Sequence, residues 1–385
     1  MILHSMRAFM LGVPLVSAFK HAGAEYTATQ ALWIEARARD GLVGFGEGCP
    51  RGFVTGETLA TVRSFLAAHT PDRLRAIRHL DALSQWTDAH AREIDANPAA
   101  WTAIELALLD LLGQEARQPI ESLLGLPALT GRFGYTAVLG DASPAQFEVQ
   151  LRGYLRAGFS HFKIKLSGCR AQDCAKTGSL AAAGISPRAV RADANNLWGD
   201  PAQAIDHLTA LDFPFYALEE PLQPGDWEGM RRVGSALGAR IILDESLLRV
   251  AQLSRLGIAP DRWIINLRVS KMGGVLRSLR LVAEARRRGL ELIVGAHVGE
   301  TSLLTRAALT VAHAARDILH AQEGAFGTRL LACDVVDSPI MFGYGGMLDA
   351  PSLPRTGRGG LEMEIRSSHY RKFGEPLPEE EFDES

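Results

Sequence analysis

Apolar and polar positions follow one rule up to about residue 126 and another beyond it. In the first part, residues 6–14 and 27–39 mix apolar and polar positions in extended runs, and Asp40-Gly41 is a turn signal. Val43-Gly44-Phe45-Gly46-Glu47-Gly48 follows as a further strand, so a small sheet is predicted. The stretch from Phe19 to Glu25 is rich in glycine and alanine and is predicted to be a mobile loop. Residues 57–66 and 80–90 have helical spacing. Asn97-Pro98 opens another helix, with Trp101, Ile104, Leu108 and Leu111 as a one-sided apolar stripe. From Gly134 the pattern becomes strand, helix, strand, helix. Strands are predicted at 135–139, 161–166, 189–193, 215–219, 240–244, 263–268, 291–295 and 318–322, with helices such as 275–288 between them. Their Ile, Val and Leu run on without alternation, as in parallel strands buried on both faces. The fold class is therefore α/β: a TIM-type (β/α) barrel over residues 127–340, with an α+β capping domain over 1–126. Residues 341–385 are expected to return to the cap. Within them 343–360 reads as loop, 361–365 as one strand and 379–385 as a frayed acidic end.

A chain of 385 residues is long enough for a barrel and a second domain. A net charge of −3 implies no basic face, so nucleic acid is not an expected partner. No apolar run is long enough to span a membrane, and residues 1–14 do not read as a secretory leader. Cys49, Cys169, Cys174 and Cys333 do not form a disulfide framework, and reduced thiols in the cytoplasm are expected.

The chemistry sits at the strand ends, in His161-Phe162-Lys163-Ile164-Lys165, Arg191-Ala192-Asp193-Ala194-Asn195, Leu218-Glu219-Glu220-Pro221 and Leu243-Asp244-Glu245-Ser246. Glu219 follows Asp193 by 26 residues and Asp244 follows Glu219 by 25, about one strand, one helix and two loops. A barrel opens its C-terminal strand ends on one face, so the three acids should converge. With no lysine or arginine at those three ends they would repel each other, and a hard divalent cation such as Mg²⁺ would resolve this. Lys163 and Lys165, two apart on one strand, share a face and should lower each other's pKa. A lysine shifted toward neutrality beside a cation can take the proton α to a carboxylate, the cation stabilising the charge that develops.

The order Lys-x-Lys, Asp-x-Asn, Glu-x-Pro, Asp-Glu-Ser and then Gly273-Gly274 resembles the enolase superfamily, in its muconate lactonizing enzyme subgroup. Gly46-Glu47-Gly48, Val54-Thr55-Gly56-Glu57 and Ala107-Leu108-Leu109-Asp110 resemble that family's cap. Gly299-Glu300-Thr301-Ser302 and Glu323-Gly324-Ala325-Phe326-Gly327 resemble its last barrel strands. The resemblance implies a (β/α)7β-like barrel and Asp193, Glu219 and Asp244 as ligands of Mg²⁺, or of Mn²⁺. It also implies Lys165 as base with Lys163 as partner, and Asn195 and Glu245 as supporting groups. The 19–25 segment would close over the substrate, with Phe19 and His21 as contacts, and a homo-oligomer is expected.

One departure matters. The subgroup carries a lysine five residues before the first glycine of the Gly-Gly pair, and here that residue is Arg268. Arginine holds its proton too firmly to act as a base. Arg268 would instead hold a carboxylate or pair with Glu245, and Lys271, three residues on, is not expected to replace the missing base. His297 after the seventh strand is either an acid–base group or a packing residue, and Glu323 at the eighth is a pocket candidate. Related dipeptide epimerases commonly carry an Asp-x-Asp pair near Glu323 for a substrate amine, and Glu323-Gly324-Ala325 lacks the second acid. The first expectation is thus a small-molecule carboxylate as substrate, in a cycloisomerisation or β-eliminating dehydration that needs one base. A racemase or epimerase of amino-acid derivatives or dipeptides is the alternative. A non-catalytic metal- and carboxylate-binding barrel is the second.

Overall fold

The computed structural model describes residues 1–21, 24–257 and 259–377, without the side chains of 17–25. The acidic end predicted to fray lies outside the described residues.

The chain begins with β1 (Leu3–Leu11), β2 (Pro14–His21), β3 (Ala24–Ala28), β4 (Ala31–Ala38) and β5 (Val43–Gly48). β1, β4 and β5 form an antiparallel sheet. β2 and β3 pair separately, with Phe19 opposite Tyr26 and His21 opposite Ala24. The predicted loop is therefore the end of a hairpin. Leu15-Val16 and Tyr26-Thr27 supply residues that favour extended chain, and they override the small residues between them.

β5 carries glycine at every second position because it lies directly on the helix Pro98–Ala116. A Cβ at Gly44, Gly46 or Gly48 would stand 2.3, 1.8 or 1.9 Å from the carbonyl oxygens of Ala107, Ala103 and Ala99, which are spaced four apart along that helix. The helix is buried around its whole circumference from Pro98 to Gly113, not along one stripe, since the sheet lies on one side and other helices and the barrel on the rest. Gly46→Ala should cost about 3 kcal/mol of stability by forced overpacking. Urea unfolding measures this, and a loss below about 1 kcal/mol would mean that the strand can lift off the helix.

After β6 (Arg132–Gly134) come eight parallel strands: β7 (Ala137–Leu139), β8 (Phe162–Lys165), β9 (Val190–Asp193), β10 (Ala217–Glu219), β11 (Arg240–Leu243), β12 (Trp263–Leu267), β13 (Glu291–Val294) and β14 (Leu319–Gln322). They neighbour one another in sequence order. Tyr135 bridges Gln322, and Thr136 N–H donates to the Gln322 carbonyl at 2.8 Å, which brings the two edges together as a barrel requires. Six crossovers are α-helices, among them Arg170–Ala182, Val275–Arg287 and Ser302–Ala314. The crossover from β11 to β12 instead contains the 3₁₀ turns Val250–Leu256 and Pro260–Arg262. Caps are written into the sequence: Ser143, Asp200 and Asp226 each accept a hydrogen bond from the first turn of the helix that follows.

Strand alternation divides the barrel into two environments. Ile241, Leu243, Ile265, Leu292 and Val294 face the helices, while Ala217, Ile242, Ile264 and Ile293 form a separate apolar cluster inside. This inner layer plugs the barrel, and Glu219, Asp244 and Asn266, two positions beyond Ala217, Ile242 and Ile264, lie above it. Because both faces are apolar, the strands read as continuous runs.

The tail holds β15 (Met347–Asp349), which pairs with β6, and β16 (Gly374–Pro376), which pairs with β1 of the cap. The strand predicted at 361–365 is reduced to one bridge between Val336 and Ile365, because Glu362 takes a left-handed φ of 59° that breaks an extended run.

Candidate active site

Lys163 and Lys165 alternate with Phe162 and Ile164 on β8, so both point away from the helix layer. Register places Lys165 beside Asp193 on β9, and Asp193 beside Glu219 on β10. Asp244 follows β11. The barrel therefore brings the two lysines and three acids to one end, and all five are buried, none more than 6% exposed.

The two lysines have different surroundings. Lys163 Nζ lies 3.2 Å from Asp193, 2.7 Å from Glu219 and 3.0 Å from Glu323. Burial opposes its charge, but these three acids outweigh burial and lift its pKa well above the ordinary lysine value. Lys165 donates to Asn195 Oδ1 at 2.9 Å. Its pKa is lowered by burial first, with Lys163 and Arg268 adding to this against the pull of Asp193. The expected mutual depression thus falls on Lys165 alone. Asn195 is held by its own N–H donating to Asp193 Oδ1 at 3.1 Å, in a left-handed conformation with φ 44°.

Protein cations do reach the acids, from neighbouring elements rather than from the three strand ends. Lys271, in the short helix Val269–Met272, donates to the Asp244 carbonyl at 2.8 Å, to its carboxylate at 2.9 Å and to the Asn266 carbonyl at 2.6 Å. Arg268 pairs with Asp244 and not with Glu245. Burial would raise the Asp244 pKa, but Arg268 and Lys271 prevail and hold it low. Glu219 is pushed up to about 8 by burial and by Asp193, Glu323 and Asp244, against Lys163. Its Oε1 accepts from Asn266 Nδ2 at 2.9 Å. Glu245 is raised well above its usual range by burial first, then by Asp244 and Glu220.

Among the described residues no three acids are gathered as a ready-made metal cage. The donor set nevertheless suits a hard divalent cation, being three buried carboxylates of which two already share a positive charge, the Lys163 ammonium.

The opposite side of the site carries Arg268 and His297. Arg268 Nη1 stands 3.4 Å from His297 Nδ1, and His297 N–H donates to Glu300 at 2.7 Å. Burial, Arg268 and Arg51 hold the imidazole well below its usual pKa, so it is neutral, and its buried Nε2 makes no hydrogen bond among the described residues. Glu323 is shared by Lys163 and by Arg191, 3.0 Å away. Phe19 and His21 have side chains outside the described residues.

Sequence reasoning passed over five groups here. Arg191 shares a face with Asp193, and a charged residue within a buried strand was the available signal. Lys271 was set aside because its helix position hid the reach of its side chain. Glu220 accepts from the N–H groups of Asp244 and Ser246 at 2.7 and 2.8 Å and so fixes the turn that carries Asp244. From the cap, Glu47 accepts from Thr301 N–H and Oγ1 and from Leu304 N–H, at the start of the helix Ser302–Ala314. Arg51 Nη2 donates to the Val298 carbonyl at 2.8 Å. These contacts join the cap to the barrel loop that holds His297.

A parallel barrel with a cap, lysines on its second strand and acids on its third to fifth gathers acid–base groups at one end, the layout of a barrel enzyme. Residues 146–366 match the family described as enolase C-terminal domain-like, and residues 9–125 match the N-terminal domain of mandelate racemase and muconate lactonizing enzyme. The chain belongs to the enolase superfamily, of the mandelate racemase/muconate lactonizing enzyme-like type, and is an enzyme. It is 29% identical to a hydrophobic dipeptide epimerase of Enterococcus faecalis over 76% of this chain and 82% of that one. It is 24% identical to an N-succinyl-L-Arg/Lys racemase of Bacillus cereus over 96% and 97%. The solved Enterococcus faecalis dipeptide epimerase, complexed with Mg and L-Leu-L-Tyr, superposes with a TM-score of 0.79 at 25% identity, covering 94% of this chain and all of that one.

Proposed function

We propose that this enzyme is a divalent-cation-dependent racemase or epimerase of amino-acid derivatives, removing and returning the proton α to a carboxylate. The observation that carries the reading is the depressed, buried Lys165 beside Asp193, Glu219 and Asp244 at one end of the barrel. The relatives' activities favour it over the cycloisomerase or dehydratase expected first from the sequence. Asp193, Glu219 and Asp244 would hold Mg²⁺, or Mn²⁺ on the same oxygen set, and that ion when bound supplies positive charge beside the substrate's carboxylate oxygens. Lys165 takes the α-proton, with Asn195 aiming its Nζ. Lys163 holds the acids and Glu323 in place. On the other side His297 exchanges the second proton. With Arg268 donating to Nδ1, the ring proton sits on Nε2, where it can be given to the opposite face of the substrate. Homo-oligomeric association, cytoplasmic location and domain boundaries at 126/127 and 340/341 belong to the same proposal.

Arg268 favours a second reading. With an arginine in place of a lysine at the sixth strand, one base would act alone, as elimination or cycloisomerisation allows. Proton exchange in D₂O decides between them. Both enantiomers of N-acyl amino acids and dipeptides are incubated with Mg²⁺ and followed by NMR. The expected result is deuterium incorporation with interconversion of the enantiomers, and His297→Asn should remove exchange from one enantiomer only. Exchange confined to one enantiomer in the unaltered enzyme would establish the one-base reading, and no exchange from any acid would leave a binding barrel.

A further inference from the structure

Between β8 and the helix that follows it lies a second buried cluster of charged groups. Lys176 and Asp173, both in the helix Arg170–Ala182, are fully buried, and His207, in the helix Pro201–Ala210, is buried beside them. Lys176 Nζ donates to the main-chain carbonyl of Lys165 at 2.8 Å, to Asp141 Oδ1 at 3.0 Å and to Asp173 Oδ1 at 3.3 Å. An ammonium has three N–H donors, and these three acceptors match them. Asp173 in turn holds the turn that follows the base. Its Oδ1 accepts from Ser167 N–H and Oγ at 2.9 and 2.8 Å, and its Oδ2 from Gly168 N–H at 3.1 Å. His207 Nε2 stands 3.1 Å from Oδ2 and backs the carboxylate from the next helix.

Strand register explains why the Lys165 carbonyl needs such a partner. β7 ends at Leu139, which pairs with Ile164, so that strand stops one residue short of Lys165. On the other side Leu166 N–H still donates to the Asp193 carbonyl at 2.9 Å. At the open margin a side chain, Lys176, meets the Lys165 carbonyl in place of a strand. A buried ammonium is costly to desolvate, and packing alone does not call for one, since Leu180 one turn further along the helix is buried without charge. Lysine carries its own charge on a long flexible stem, so the place of Nζ depends on how both ends are held. Asn195 receives the tip of Lys165 at 2.9 Å, and Lys176 holds its root. We propose that Lys176 is a positioning residue for the base. By fixing the main chain at Lys165 it sets the line along which Nζ approaches one face of the α-carbon, and Asp173 and His207 hold Lys176 and the following turn in place. The inference rests on the α-proton reading of the site.

Two variants test this. Lys176→Met removes the ammonium at similar length, and the double variant Lys176→Met, Asp173→Asn does so without stranding the Asp173 carboxylate. Exchange in D₂O is followed by NMR with Mg²⁺ and the same N-acyl amino acids and dipeptides, both configurations of each, and Mg²⁺ affinity by calorimetry. Lys165 serves the configuration whose exchange survives His297→Asn. For that configuration kcat of exchange should fall about ten- to a hundredfold, because a misplacement of about 1 Å is enough to cost this much. KM, Mg²⁺ affinity and exchange of the other configuration should stay within about threefold. If Lys176→Met does not fold, the double variant decides. Equal loss for both configurations, or a matching fall in Mg²⁺ affinity, shows a lysine that only supports the fold and overturns the proposal. Exchange at the unaltered rate, or failure of both variants to fold, overturns it too. All of these outcomes leave the α-proton reading standing. If the unaltered enzyme exchanges one configuration only, Lys165 serves that one, and the same fall at constant KM and Mg²⁺ affinity upholds the proposal. No exchange by the unaltered enzyme from any acid defeats the α-proton reading, and the positioning role falls with it.

Discussion

Lys165→Ala should lower α-proton exchange by on the order of a thousandfold while leaving the folded protein about as stable as before. The two effects separate because of what each lysine touches. Lys165 is buried, its pKa is depressed, and it donates a hydrogen bond to the neutral Asn195. Removing it takes away the proton acceptor, while the Lys163 ammonium still stands 3.2 Å from Asp193 and 2.7 Å from Glu219. Lys163→Ala should do the reverse to stability. Without that ammonium, Asp193, Glu219 and Glu323 remain buried around an empty space, and breaking such a pairing costs about 3–5 kcal/mol. Thermal unfolding of both variants without added metal, together with exchange measured with Mg²⁺, reads out the division. Retention of exchange in Lys165→Ala, with loss only in Lys163→Ala, would reverse the roles.

The second large effect concerns the acids. Asp193→Asn, Glu219→Gln and Asp244→Asn should each weaken Mg²⁺ binding by on the order of a hundredfold or more. Each removes a full charge from a set in which every oxygen ligand matters, and the entering ion must already compete with Lys163 and Arg268 for these carboxylates. Mg²⁺ should also raise the melting temperature of the unaltered enzyme, since a ligand that binds only the folded state stabilises it, and should do so far less in the variants. Calorimetry measures the affinity directly, and unchanged affinity in all three would place the metal elsewhere.

The acids were found because their spacing is a property of chain order: one strand, one helix and two loops separate each pair, and parallel closure does the rest. Strand positions were legible for a similar reason. Ile241, Ile242 and Leu243 are apolar on both faces because the barrel has an inner layer as well as an outer one. The glycines of β5 were visible as a pattern, but their meaning depends on a helix more than fifty residues away.

Other features depended on three-dimensional proximity. Which lysine is lifted and which is depressed turns on burial set against Asp193, Glu219 and Glu323, which crowd Lys163 from three other strand ends, Glu323 from 160 residues away in the chain. The partner of Arg268 was expected to be Glu245 or a substrate carboxylate and is Asp244, the residue before Glu245. Lys271 reaches Asp244 because a short helix turns back over the fifth strand end, a path that spacing alone does not disclose. The hairpin at 14–28 was missed because local composition argued for a loop where cross-strand pairing prevails. By itself the sequence determined the alternation of elements, the barrel and the residues at its strand ends, because these follow from local periodicity and chain order. The tertiary structure alone decided the charge of each group and the partners it meets, because burial and electrostatic partners are set by residues far apart in the chain.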